Sequence, residues 1–312
     1  MDKTFARWQE LFEDVRKIED LDSQALYKKA LPCFYDIYSQ FSYDGGSQIG
    51  VSRKGGLPDL PETIPWPIEN DKAMTFLAQI NFSELEPGFA AYLPQQGWLY
   101  FFISTPEVWS GIPHRVIYYD GPTEALQQTS LPQSAKTPDT IYKSHSLTFE
   151  TGFTLYGELL DEIFKDRSVD KLFEIIHELY QAECTRVGGY PMCFQTYPSE
   201  HFAYLALSGF DLMHKYGSSI DMHEFIIQRR QLEEKQPEHV EFLRTEVYTQ
   251  IREYEQNIEY HKKRMKTLRP IFVLDSDDDM QWGDLGFLQF FMFQEDLEKR
   301  DFSRTCCDLI ST

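Results

Sequence analysis

Five aspartates fall within ten residues near the end of this 312-residue chain: Asp275, Asp277, Asp278, Asp279 and Asp284. Hard cations such as Ca²⁺ and Mg²⁺ favour carboxylate oxygens, and Asp275, Asp277 and Asp279 alternate as ligands from a single loop would. The spacing departs from an EF-hand loop. The sixth position counted from Asp275 is Met280 where glycine belongs, and the twelfth is Gly286 where glutamate belongs. Aspartate is also a turn residue in its own right, because its carboxylate bonds nearby backbone N–H groups. The run therefore reads first as an acidic turn with capping and solvation roles. A divalent cation at Asp275, Asp277 and Asp279 is the alternative, and no other cofactor is expected.

A second group with chemical potential is the amide pair Gln79 and Asn81, which alternates with Ala78 and Ile80 and so lies on one face of a strand. Buried amides are costly without partners. They must bind a polar ligand, hold water, or tie the neighbouring Arg53–Trp66 loop to the sheet. Nucleophilic hydrolysis has little support, since there is no Gly-x-Ser-x-Gly elbow, and Gly-rich phosphate loops are absent too, since Gly45-Gly46 and Gly55-Gly56 lack the Walker spacing. His114, beside Arg115 and near Trp109, is the most site-like histidine, although an exposed loop position is the favoured reading. His177 and His261 fall beside helical stripes. The five cysteines, Cys33, Cys184, Cys193, Cys306 and Cys307, have no Cys-x-x-Cys spacing, so reduced, mostly buried thiols are expected.

The elements that must position these groups follow from an ordered repetition. Ser52-Arg53-Lys54-Gly55-Gly56-Leu57-Pro58, then Phe76–Phe82, then Gly97–Ile103, is echoed by Arg186-Val187-Gly188-Gly189-Tyr190-Pro191, then Ile271–Asp275, then Gly286–Met292. A Gly-Gly-x-Pro turn followed by two aromatic strands, twice, predicts an internally duplicated α+β fold of antiparallel sheets. Further strands are expected at Val116–Tyr119 and Ser146–Thr151. Phe5, Trp8, Leu11, Phe12, Val15 and Ile18 recur at helical spacing, and Ser23 would cap a second helix through Leu26, Ala30, Phe34 and Ile37. The expected division is a helical lead-in over 1–42, a first pseudo-repeat over 43–155 and a second over 156–312. Helices are also expected within Glu158–Cys184. The second copy is expanded: Gly55 to Phe76 spans 21 positions, whereas Gly188 to Phe272 spans 84. Much of the excess is a helical hairpin over about 221–269, with a long apolar stripe from Val240 to Leu268 and balanced charges. The stripe must be covered by its own chain or by a second copy through Leu243, Ile251, Ile258 and Met265.

Fifty acidic against thirty basic residues give a formal charge of −20. That repels phosphate backbones and anionic membranes; it reads first as a charge that keeps the protein soluble, with a basic partner or a cation as the alternative. No segment reaches the roughly 18 consecutive apolar residues of a membrane span, and Met1–Ile18 mixes charges with apolar residues. The expected location is the cytoplasm, with no nucleic-acid or membrane partner.

The paired signatures resemble the YwqG-like family of bacterial proteins, a domain of unknown function. The resemblance rests on Gly55-Gly56-Leu57-Pro58-Asp59-Leu60-Pro61, Trp66-Pro67, Phe76–Asn81 and Gly97–Phe102. It continues through Gly189-Tyr190-Pro191, Gln195, Ser276-Asp277-Asp278 and Trp282-Gly283-Asp284-Leu285-Gly286. It covers Ser52 to Ser303 apart from the hairpin. It implies a duplicated α+β fold and no established reaction, with an immunity or adaptor role suggested by relatives linked to secreted-toxin systems. The expected function is a non-enzymatic binding or protein-interaction protein, with partners or self-association through the hairpin. The alternative is an enzyme or ligand-binding domain whose polar pocket lies near Arg53, Trp66, Gln79, Asn81, Gln195, Trp282 and Asp284. Trp66 and Trp282 also fit as structural anchors beneath their turns.

Overall fold

Trp98–Ile103 and Phe287–Phe293 have almost no polar face: only Gln289 interrupts them. A strand sends alternate residues to opposite sides, so such a run is stable only where both sides are covered. The computed structural model, which describes residues 3–11, 26–36, 48–104, 112–155, 185–191, 199–211 and 243–310, places each run inside an antiparallel sheet. The first sheet has five strands in the order β10 (His145–Ser146), β2 (Arg53–Lys54), β6 (Thr75–Asn81), β7 (Trp98–Ile103) and β8 (His114–Tyr119). The second has six, ordered β11 (Phe149–Thr154), β1 (Leu31–Asp36), β12 (Arg186–Gly188), β13 (Leu268–Asp275), β14 (Phe287–Phe293) and β15 (Cys306–Ile310). Two small pairs, β3 (Asp59–Pro61) with β9 (Leu126–Gln128) and β4 (Ile68–Glu69) with β5 (Lys72–Ala73), complete the strands among the described residues.

The sheets meet face to face. Leu99, Phe101 and Ile103 of β7 share a core with Phe272 and Leu274 of β13 and with Leu288, Phe290 and Met292 of β14. The Phe101 ring lies 4.6 Å from Phe272 and 4.9 Å from Phe290. Alternation sends the remaining residues outward. Trp98, Tyr100 and Phe102 pack under Leu60, Trp66, Met74 and Leu126. Phe291 and Phe293 pack under Tyr204 of α2 (Ser199–Leu207) and Ile251 and Tyr254 of α3 (Tyr248–Gln256). Each such side chain removed from water contributes about 1.5–3 kcal/mol, which is why these runs carry no polar alternation. The chain is thus α+β, and among the described residues no helix is long and apolar enough to cross a membrane.

Both sheets use the same steps of pairing. Arg53 pairs with Gln79 and Gln79 with Tyr100, and the β6–β7 register shifts between Phe76 and Ala78. Arg186 pairs with Val273 and Val273 with Gln289, with a shift between Pro270 and Phe272. Both Gly-Gly turns run through left-handed backbone, with φ of 65° and 71° at Gly55 and Gly56, and 78° and 88° at Gly188 and Gly189.

Two expectations meet a different structure. Phe34 lies in β1, not in a helix: Pro32 removes a backbone donor, and Cys33-Phe34-Tyr35 instead pairs with β11 on one side and β12 on the other. The long helical stripe is interrupted. A π-helical turn, Leu243–Val247, leads into α3, which ends at Asn257 before α4 (Ile258–Met265), and Leu268 already belongs to β13. Val247, Ile251 and Tyr254 are buried within their own chain. The hairpin's first arm, Asp221–Lys235, and the helices expected in Glu158–Cys184 lie outside the described residues, as does the N-terminal helix beyond α1 (Lys3–Leu11).

Candidate functional site

The Gly-Gly turn after β2 organises the first half. Gly55 N–H donates to Leu77 O at 2.7 Å and Gly56 N–H to Tyr142 O at 2.9 Å. A Cβ on Gly55 would stand 1.9 Å from Lys143 O, so position 55 admits no side chain for steric as well as torsional reasons. The turn folds Arg53 back on the chain. Its Nε and Nη2 donate to Leu57 O at 3.2 and 2.9 Å, and Nη2 meets Asp59 Oδ1 at 2.5 Å. Arg53 is 1% exposed and Asp59 0%, so each charge depends on the other.

Gln79 and Asn81 serve this loop. Gln79 Oε1 accepts the Asp59 N–H at 2.8 Å, while Nε2 donates to Asp59 Oδ2 at 2.9 Å and Val51 O at 2.8 Å. Asn81 Nδ2 donates to Gly50 O at 2.9 Å, where Trp98 Nε1 also donates at 2.8 Å. The Gly50 N–H reaches Asp59 Oδ2 at 2.8 Å, and Tyr100 donates its hydroxyl to Asp59 O at 2.7 Å. Asp59 is thus the hub of the network. The sequence signal for it was only an acid just after the Gly-Gly-x-Pro turn, without a motif that names its partner.

The acidic run is drawn to the same turn. Lys54, buried beside the Gly-Gly pair, forms an ion pair with Asp277. Asp277 Oδ1 also accepts N–H bonds from Asp279 at 2.8 Å and Met280 at 2.7 Å. Burial opposes ionisation of Asp277, but the Lys54 bond and these backbone donors outweigh it and hold the carboxyl below its usual range. Asp279 Oδ2 accepts the Lys143 N–H at 2.6 Å, and Asp275 Oδ1 accepts the Ser276 N–H at 2.8 Å. Among the described residues no three acidic, histidine or cysteine side chains are arranged to hold a metal ion.

The other candidates are dispersed. Trp66 is buried, donates to Met74 O at 2.9 Å and packs on Phe102. Trp282 is buried and meets the Tyr142 ring in a T-shaped contact. Asp284 is exposed in the acidic loop, and Gln195 lies outside the described residues. His114 opens β8 instead of sitting in an exposed loop. Its Nδ1 is 2.7 Å from Ile112 O and its Nε2 3.0 Å from Thr305 Oγ1, and burial lowers the ring below its ordinary pKa.

Next to the network, on the strands' other side, a cleft of about 550 Å³ opens between Gln48, Ser52, Glu84, Ser146 and Thr148, with Val51, Leu147 and Phe149 as its apolar wall. It forms where the chain changes sheets. β10 runs beside β2, Leu147 N–H still donates to Ser52 O at 3.0 Å, and two residues later Phe149 opens β11 in the six-stranded sheet. Thr148 spans the crossing and donates its N–H to Asp36 Oδ1 at 2.8 Å. Glu84 is placed by a 3₁₀ turn, Phe82–Glu84, whose Ser83 N–H is capped by Asn81 Oδ1 at 3.0 Å. Glu84 Oε2 accepts the Ser52 N–H at 3.0 Å, and Ser52 Oγ accepts the Asn81 N–H at 2.8 Å. Glu84 is an exposed residue, yet partial desolvation of its carboxyl raises it above the ordinary value, against the lowering effect of its Ser52 hydrogen bonds. Sequence reasoning missed Glu84, although Asn81-Phe82-Ser83-Glu84 has the capping spacing that marks a tight helical start.

Two stacked antiparallel sheets, a buried Arg–Asp hub behind a Gly-Gly turn and a cleft at the sheet crossing define the class: an α+β protein organised around its turns. The chain belongs to the domain-of-unknown-function family DUF1963, whose profile it matches over residues 52–309. No curated protein matches it.

Proposed function

We propose that this chain is a non-enzymatic binding protein of the cytoplasm, a YwqG-like member of its family, that takes a small polar ligand in the cleft beside Ser52 and Glu84. The carrying observation is the cleft: about 550 Å³ lies within the range of small-molecule sites, and it pairs an apolar wall with a few convergent polar groups, as such sites do. The Arg53–Asp59–Gln79 network supports the reading as scaffold, since it fixes Gly50 and Asn81, and Asn81 caps the turn that carries Glu84. The identical pairing steps around Arg53 and Arg186 favour a fold built from two related halves. Among the described residues the cleft lies beside the first half's Gly-Gly turn.

The experiment is a thermal-shift screen of the full chain with metabolites and divalent cations, because a ligand bound to the native state alone raises its stability by about 2.7 kcal/mol at a hundred times Kd. Thr148→Trp, which fills the cleft from an exposed position, should leave melting unchanged and abolish the response to any hit. A response that survives this substitution places binding elsewhere. An adaptor or immunity role through residues 221–269 is the second reading. It is less favoured because the described part of the stripe is already covered by Tyr204, Phe291 and Phe293.

A further inference from the structure

We infer that the cleft's ligand is a cationic amine or guanidinium compound with Glu84 as its counter-ion, an assignment that rests on the cleft being a binding site. Among the described residues Glu84 is the one charged side chain that lines the cleft. The two cations that follow Ser52 are already committed: Arg53 to Asp59 and Leu57 O, and Lys54 to Asp277. Behind the rim stands a second carboxylate, Asp36, which takes the Thr148 N–H and adds negative potential at the sheet crossing.

Glu84 is also held in place. Its Oε2 accepts the Ser52 N–H, and Ser52 Oγ is itself fixed by accepting the Asn81 N–H. A carboxylate offers about four acceptor sites, so Glu84 keeps capacity for the N–H donors of an ammonium or guanidinium group. Such charge-assisted bonds are roughly twice as strong as neutral ones. Val51, Leu147 and Phe149 supply apolar surface for the methylene stem that links such a head group to the rest of a ligand. The chain's formal charge of −20 draws cations toward it and repels anionic competitors.

The test uses the full chain, four probes and three substitutions. Agmatine and putrescine carry the cationic groups; 1,4-butanediol and ribose are neutral donors and acceptors. Calorimetric titration at low and moderate salt should find agmatine or putrescine binding to the wild type, weakened at least about tenfold in Glu84→Gln and also by salt, with the neutral probes inert. Glutamine keeps an acceptor for the Ser52 N–H, so Glu84→Gln should melt with the wild type in the absence of probe, and the same substitution at the exposed Glu62 is the control. If amines bind the wild type and Glu84→Gln equally, the assignment is overturned. If ribose or butanediol binds and Thr148→Trp abolishes it while amines do nothing, the charge assignment falls and the cleft survives as a site. If none of the four probes binds, the amine assignment is overturned, and the cleft itself falls only when the wider screen is also null.

Discussion

Arg53 and Arg186 stand at matching steps of two sheets and in opposite electrostatic circumstances. Each is 1% exposed, and each donates Nη2 to the carbonyl four residues on, Leu57 or Tyr190, just ahead of a proline. Arg53 then meets Asp59. Arg186 has no carboxylate partner among the described residues, and its Nε is buried without an acceptor. Where Asp59 follows Pro58, Met192 follows Pro191. The row across the sheet differs too: Arg53 continues to Gln79 and Tyr100, whereas Arg186 continues to Val273, Gln289 and Asp308. Cys33, near Arg186, cannot supply the charge, because burial pushes its thiol up to about 11 against the pull of the guanidinium. The common device is therefore the arginine-to-carbonyl bond that locks a Gly-Gly turn. Among the described residues the ion pair is an addition confined to the first turn, on the side that also positions the cleft.

The sharpest way to break this comparison is Asp59→Ala. It strands the buried Arg53 guanidinium and releases the Gly50 N–H and the Gln79 amide, so a loss of about 3–5 kcal/mol is expected in denaturant unfolding. A loss below about 1 kcal/mol would mean that Arg53 tolerates burial as Arg186 does.

A smaller effect is expected at the end of the second row. Burial raises the Asp308 carboxyl to about 7, while in the unfolded chain it titrates near 3.9. Between those values the folded state holds the extra proton. The contribution of Asp308 to stability is thus fully present below about pH 4 and is lost as pH rises through 7. Asp308→Asn should flatten that decline and melt higher than the wild type at pH 8, by roughly 2–4 kcal/mol at most. Parallel melting curves of the two proteins from pH 5 to 8 would remove Asp308 as the source.

The smallest effect is expected for Arg186→Met. Losing the bond to Tyr190 O is offset by no longer burying a cation that has no carboxylate partner among the described residues, so stability should move by less than about 1 kcal/mol in either direction. A loss as large as that of Asp59→Ala would show that Arg186 has an equal partner and would collapse the distinction between the two turns.

The sequence made the strands around 76–82, 97–103, 271–275 and 286–292 legible because apolar runs bounded by glycines demand cover on both faces. It also placed Gln79 and Asn81 on one side of a strand. What it concealed depends on distant contacts. Phe34 fits a helical spacing as well as a strand, and only pairing with Thr151 and Val187 decides between them. The aspartates were visible, but Lys54 as the partner of Asp277 was not, since nothing local links the two. Glu84 carries no catalytic motif and becomes a candidate only when the sheet crossing folds Ser146 and Thr148 beside it.

That crossing has a consequence for how the protein is made. All five strands of the first sheet lie between residues 53 and 146, whereas the six-stranded sheet gathers strands from Leu31 to Ile310. During synthesis the first sheet has all its strands before half the chain has emerged. β1 and β11 can pair with each other early, but β1 then presents an open hydrogen-bonding edge until Arg186–Gly188 arrives, and β14 and β15 come last. An unpaired edge next to exposed phenylalanines is a site for wrong pairing between nascent chains. No single cut separates the two sheets either: cleavage after residue 155 would leave β1 and β11 on one fragment and the four strands that complete their sheet on the other.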